Sequence, residues 1–333
     1  MHTQVRTSTD TIRSLFRGTT TTLVTLLLLT FAFGTGCDLL RPGSGASEPS
    51  EGQVPYQSLD GFFAERGVEG QSFTISADSR QVVTGDKGIK LHVPANAFVD
   101  QNGNPVSGSV TLELKEIYSP ESMIETNATT ETASGEPLIT GGMFRIEARQ
   151  DGEELSLPDS NWVGVEMPAR TNTGNINSMR LWTSDRSSVA QDPDWRPVSE
   201  ESAAFLEREG EAEEPTWYTS VRDLGFINID VLNDETPTAE LTINQSGYTG
   251  DPANFRVFVY SSNPTGLLPA SVENGAFVRG DLPTGSYTVV AIGVDEGTQY
   301  FGTKEVTLNG DRSVTVDVAP TSTADLEAAL SQL

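Results

Sequence analysis

The chain has 333 residues, 36% of them apolar, with 31 glycines, 18 prolines and one cysteine. That length allows two ordinary domains after a removable N-terminus, and the glycine and proline content fits many turns and short strands better than long helices. Acidic residues outnumber basic ones 47 to 21, a net charge of −26, which argues against binding nucleic acid or anionic lipid headgroups through a basic face.

Lysine is scarce: Lys87, Lys90, Lys115 and Lys304 are the only four. An acidic, lysine-poor surface suits a high-salt medium, where screening removes self-repulsion. An acidic binding surface is the alternative. The lone Cys37 excludes a disulfide within the chain and a thiolate zinc cluster.

Residues 1–17 are polar and carry Arg6, Arg13 and Arg17, whereas 18–36 (GTTTTLVTLLLLTFAFGTG) hold no charge. A basic start, an apolar stretch and small residues before a cut describe a secretory signal over 1–36. Cys37 directly follows Gly34-Thr35-Gly36, and this resembles a bacterial lipoprotein signal. That resemblance implies cleavage before Cys37, lipid attachment to it, and an exported body tethered to an envelope membrane. The expected location is the outer membrane, periplasmic or surface-facing. An uncleaved membrane anchor is the alternative, since roughly 20 apolar residues span a bilayer.

Residues 37–70 read as a tether and entry segment. Those from 38 to 58 are rich in Gly, Ser, Pro and Glu and bury too little apolar surface to order themselves. Residues 59–70 predict a short helix. From Gln71 the pattern turns to strands. Ile89, Leu91 and Val93 alternate with Lys90 and His92, and Val110, Leu112 and Leu114 alternate across Ser109–Ile117. Ser119 and Pro120 predict a helical turn. Strands are expected at Glu131–Ile139 and Met143–Arg149, a hairpin at Asp151-Gly152, a strand through Val163, Val165 and Met167, and a pairing of Asn177–Ser184 with Trp195–Val198. Residues 199–215 read as an acidic solvated insertion before Trp217–Val221. Gly225–Leu232 is expected to open a second module, with strands at Ala239–Ile243, Phe255–Tyr260, Ala276–Arg279, Gly285–Val294, Thr298–Val306 and Ser313–Val318. A short tail helix capped by Thr323 closes the chain.

The run Gly88–Asp100 (GIKLHVPANAFVD), with Ser107–Ile117 and Leu138–Ala148, resembles ZU5-type β-sandwich domains of bacterial surface lipoproteins. The pattern from Gly280 to Gly293 (GDLPTGSYTVVAIG) is similar to transthyretin-like or carboxypeptidase-regulatory-like modules. The resemblance implies an all-β fold: a ZU5-like sandwich over 71–222, a second sandwich over 223–320 and a tail over 321–333. It implies interaction or scaffolding rather than catalysis. Some ZU5-containing proteins cut themselves at a His-Phe-Ser tripeptide, which is absent here.

Nucleophilic catalysis needs a base beside the nucleophile. His92, on the polar side of its strand, reads as a surface residue. The acids form no recognisable paired motif, so no enzyme activity and no cofactor is expected. Asp100, Asn102 and Asn104 place oxygen ligands at alternate positions, as in a calcium loop, but Pro105 stands where the sharp-turn glycine belongs, so the segment reads first as a β-turn. Trp162, Trp182, Trp195 and Trp217 could stack on sugars or pack in cores. The expectation is a non-catalytic, membrane-anchored structural or interaction module whose partner is an envelope protein. The alternative is a glycan-binding accessory protein using exposed tryptophans.

Overall fold

The computed structural model of the protein describes residues 54–169, 178–186, 191–199, 206–209 (backbone only) and 216–333. The expected signal segment 1–36, Cys37, the expected tether as far as residue 53 and most of the expected acidic insertion 199–215 lie outside the described residues. The described residues cluster as one compact unit.

Ser58 caps the first helix, α1 (Leu59–Arg66), by accepting from the Gly61 N–H. The strands β1 (Gln71–Ser76), β2 (Gln81–Thr84), β3 (Lys90–Val93) and β4 (Ser109–Ile117) follow. Ser119 caps α2 (Pro120–Glu125), with Pro120 in its first turn, as the sequence predicted, and Ser122 completes a capping box that the sequence reading did not foresee. β5 (Leu138–Gln150) runs through the expected Asp151-Gly152 turn into β6 (Glu153–Glu154), both turn residues holding positive φ. Then come β7 (Val163–Pro168), β8 (Arg180–Ser184), β9 (Arg196–Pro197), β10 (Leu206–Glu209), β11 (Thr216–Val221) and β12 (Gly225–Leu232).

These strands make two sheets. One has the order β1-β4-β5-β12-β8-β9, with β6 beside β5, and the other runs β10-β11-β7-β3-β2. Alternate residues explain the packing: Leu112 and Leu114, Phe144 and Ile146, Leu91 and Val165 all turn into one core between the sheets, the period-2 pattern of half-buried strands. β12 corrects one expectation. It does not open a second module but hydrogen-bonds between β5 and β8 in the first sheet. Glu131–Ile139 is another correction, because the strand begins only at Leu138 and the residues before it make isolated bridges.

The second half comprises β13 (Thr238–Ser246), β14 (Phe255–Ser262), β15 (Thr265–Glu273), β16 (Ala276–Pro283), β17 (Gly285–Asp295), β18 (Thr298–Leu308), β19 (Arg312–Asp317) and β20 (Ala319–Pro320). Helix α3 (Thr323–Leu330) ends it, capped by Ser322 rather than Thr323. The strand order is β19-β13-β16-β15-β14-β17-β18-β20. β15, which sequence alternation did not signal, makes the fold. Its first part pairs with β14 and its last three residues with β16, so one sheet bends over a core that includes Leu241, Val257, Phe277 and Val289.

A third core joins the halves. On β14, Val257 and Val259 face the second sandwich while Phe258 and Tyr260 face outward; on β17, Val289 and Ala291 face in while Val290 and Ile292 face out. The outward set packs with Ile117, Met143 and Phe226 of the first sandwich and with Phe62, Phe63 and Leu326 of the helices. Both faces of β14 and β17 are therefore buried, as in a central layer. Among the described residues no helix is long and apolar enough to cross a membrane.

Candidate functional site

Between α2 and β5 the segment 126–130 is buried although it has no regular structure. A buried irregular backbone must find partners for its polar groups, and side chains supply them. Arg186, 7% exposed, donates from Nη1 to the Asn127 carbonyl at 2.7 Å and from Nη2 to the Thr126 carbonyl at 2.9 Å. These carbonyls close the end of α2, where a cation complements the helix dipole. Trp195 Nε1 donates to the Thr129 carbonyl at 2.7 Å. Thr130 and Leu267 of β15 exchange bonds: Thr130 N–H to the Leu267 carbonyl at 2.7 Å, Leu267 N–H to Thr130 Oγ1 at 2.9 Å. The segment thus straps the first sandwich to the second.

Charges follow the same seam. The Arg186 guanidinium lies over the Phe226 ring at 4.4 Å and Arg145 lies 5.0 Å from the same ring. Burial, with Arg145 nearby, pulls Arg186 down to about 10. Arg256 pairs with Asp192, and Arg279 pairs with Glu131. Burial raises the Glu131 carboxyl above its ordinary range, with Arg279 opposing.

Asp230 is wholly buried beside the seam. Its Oδ2 accepts from Asn228 Nδ2 at 2.6 Å, and Asn228 Oδ1 accepts from the Thr140 hydroxyl at 3.0 Å. Its Oδ1 has no partner of hydrogen-bond geometry. Burial holds this carboxyl well above the usual range, only partly offset by the neighbouring Thr140 hydroxyl and Gly141 N–H.

Glu116 is an inward-facing acid with a different task. It accepts from the Lys87 N–H at 2.7 Å, the Ile89 N–H at 2.8 Å and Gln71 Nε2 at 2.9 Å. It stitches the loop before β3 to the opposite sheet. A Cβ at Gly85 would sit 2.5 Å from its Oε2, so only glycine fits there.

His92 corrects the sequence reading. It is buried, and its Nε2 lies 2.8 Å from Glu166 Oε1, while Lys90 Nζ reaches Glu166 Oε2 at 2.8 Å. The His92 bond, with Lys90 adding to it, holds the Glu166 carboxyl below its ordinary range. β3 is an interior strand, between β2 and β7, and His92 faces Gly164, which offers no side chain of its own. Polar alternation therefore placed His92 on the right face but misjudged its burial.

The oxygen-rich loop folds as a turn. Asp100 Oδ1 accepts from the N–H groups of Asn102 and Asn104, each at 2.8 Å, and Oδ2 from Asn104 Nδ2 at 3.0 Å. Its carboxylate is aimed at donors of its own loop, as in an Asx-turn. Among the described residues no three His, Cys, Asp or Glu side chains converge as metal ligands. Of the tryptophans, Trp182, Trp195 and Trp217 are buried and Trp162 is half-buried. They form no exposed stacking platform, which removes the feature the glycan reading needed. A cleft of about 70 Å³ lies between the start of β5 and the turns after β14 and β16, bordered by Asn233, Glu235, Ser261 and Ser286. It has room for a few waters, against the ~300 Å³ and upward of ordinary ligand pockets.

No protein-family model and no curated protein matches the chain. Among solved structures it has a likeness to the Bacillus anthracis TIE protein, at 12% identity and a TM-score of 0.19, covering 76% of this chain and 41% of that one. The chain therefore corresponds to less than half of that protein's length. It is similar also to the pilus-presented adhesin Spy0125 (Cpa), at 9% identity and a TM-score of 0.17, over 72% of this chain and 90% of that one.

Proposed function

We propose that this protein is a non-catalytic, lipid-anchored protein of a bacterial envelope whose β body serves as a structural or protein-interaction module. The observation that carries the reading is the run from residue 18 to Cys37: an uncharged apolar stretch, small residues, and the chain's single cysteine directly after them. The use of the buried polar groups supports the non-catalytic part. Arg186, Glu116, Trp195 and the Arg279–Glu131 pair each hold one segment of the fold to another.

The finer arrangement follows the resemblance. The first sandwich is ZU5-like and the second transthyretin-like, with the boundary moved to the end of β12 at Leu232. Metabolic labelling with a radioactive fatty acid tests the anchor. The full chain should incorporate label and Cys37→Ala should not. Label retained in Cys37→Ala, or absent from the unmodified chain, overturns the reading.

A further inference from the structure

Sheet edges expose unpaired backbone groups, and proteins guard them with charge, proline or brevity. This chain guards several. β9 is Arg196-Pro197, β10 has three charged residues among its four, and β19 begins at Arg312 and ends at Asp317. β1 and β2 differ. β1 reads Gln-Ser-Phe-Thr-Ile-Ser and β2 reads Gln-Val-Val-Thr, without a charge or a proline in either. Both are edges, one of each sheet of the first sandwich. They lie side by side where the Gln71 side chain accepts from the Asp86 N–H at 2.7 Å.

The direction of the free groups on β1 follows from its pairing. Ser76 faces Ser109, and the next residue, Ala77, donates its N–H to the Gly108 carbonyl. Hydrogen bonding alternates along an antiparallel strand. Phe73 and Ile75 therefore turn their backbone groups to β4, while Ser72, Thr74 and Ser76 turn theirs away from it. Among the described residues β1 has no other neighbour in its sheet. The same alternation on β2, where Gly85 donates to Ile89, turns the backbone of Val82 outward. Its side chain is also 52% exposed.

We propose that β1 is an acceptor edge that binds an extended segment of a partner protein as an added strand, with basic residues at the segment's ends. Main-chain bonds to Ser72, Thr74 and Ser76 would supply affinity, as in other strand additions. Charge selects the occupant. Exposed Glu69 and Asp78 flank the edge, and Asp86 lies against its first residue. With a net charge of −26 on each chain, a second copy is repelled and a lysine-flanked strand is attracted. This inference rests on the interaction-module part of the proposed function and not on the lipid anchor, which labelling reads separately.

The test uses the full chain in detergent and a synthetic peptide of alternating valine and threonine with a lysine at each end. Binding is followed by fluorescence anisotropy, and the bound site by amide hydrogen exchange. The peptide should bind and protect the amides of Ser72, Thr74 and Ser76. Thr74→Pro removes an outward N–H, and Thr74→Lys places a charge on the edge. Each should weaken binding by about tenfold or more with the melting temperature unchanged. If Thr74→Pro misfolds, Thr74→Lys still decides. Equal binding by Thr74→Lys, no binding to the unmodified chain, or binding without protection of these amides overturns the proposal. So does a dimer in sedimentation that Thr74→Lys dissociates, which would assign the edge to a second copy.

Discussion

A carboxylic acid without access to water is kept either by a cation beside it or by its own proton. Among the described residues no cation offsets the burial of Asp230, which holds its carboxyl well above the usual range and so favours the protonated form, while Asn228 donates to it. The consequence for stability has a definite sign. The folded-state pKa lies above the unfolded value of about 3.9, so the folded protein binds the extra proton. Stability from this group is complete below about pH 3.9 and falls as pH rises toward the raised folded-state pKa. Asp230→Asn keeps the shape and a donor without the proton. At neutral pH it should stabilise the fold by about 1–3 kcal/mol, with a smaller gain at pH 4. Urea denaturation of both proteins at the two pH values checks this. A gain independent of pH would mean that the acid is not protonated in the fold.

At the scale of elements, the entry segment and the tail helix brace the seam together. Tyr56 is buried, packs edge-on against Phe62 at 5.6 Å, and donates to the buried Gln299 side chain. Gln299 in turn donates to the Thr321 and Ser322 carbonyls, each at 3.3 Å, ahead of α3. Arg66 of α1 donates to Glu125 of α2 at 3.0 Å and pairs with Glu327 of α3 at 2.7 Å. Tyr56→Phe should cost about 1 kcal/mol for the lost bond and Tyr56→Ala about 3–5 kcal/mol for the cavity, read from the urea midpoint. Equal costs would show that packing is slack there. Sequence alternation located most strands because their two faces differ. It failed where that difference vanishes. Gly266 and Pro269 broke the pattern of β15, which pairs with two partners in succession. The strap 126–130 has no period, because its carbonyls are met by distant side chains such as Arg186. Yet the third core left a trace in the unbroken apolar run of β17 from Val289 to Ile292, the mark of a strand buried on both faces. His92 and Asp230 were the least legible, since burial by neighbouring strands is a property of the sheet order.

For the whole molecule two opposed terms matter, a repulsive charge and a continuous interior. A net charge of −26 destabilises the compact state at low ionic strength and is screened as the Debye length shrinks from about 10 Å at 0.1 M to about 3 Å at 1 M. The melting temperature should therefore climb steadily with sodium chloride across that range; a flat response would show that the surface charges are already paired. Against this repulsion stands the third core. It places Phe258 and Val290 of the second sandwich against Ile117 and Phe226 of the first, so neither sandwich can unfold without exposing the apolar seam of the other. All four tryptophans precede β12, and their fluorescence reports the first sandwich and the seam, whereas far-ultraviolet circular dichroism reports the strands of both. The two thermal curves should coincide, and calorimetry should give one transition whose enthalpy matches the van't Hoff value. A fluorescence midpoint separated from the dichroism midpoint would mean that the sandwiches unfold independently and that the seam is too weak to couple them.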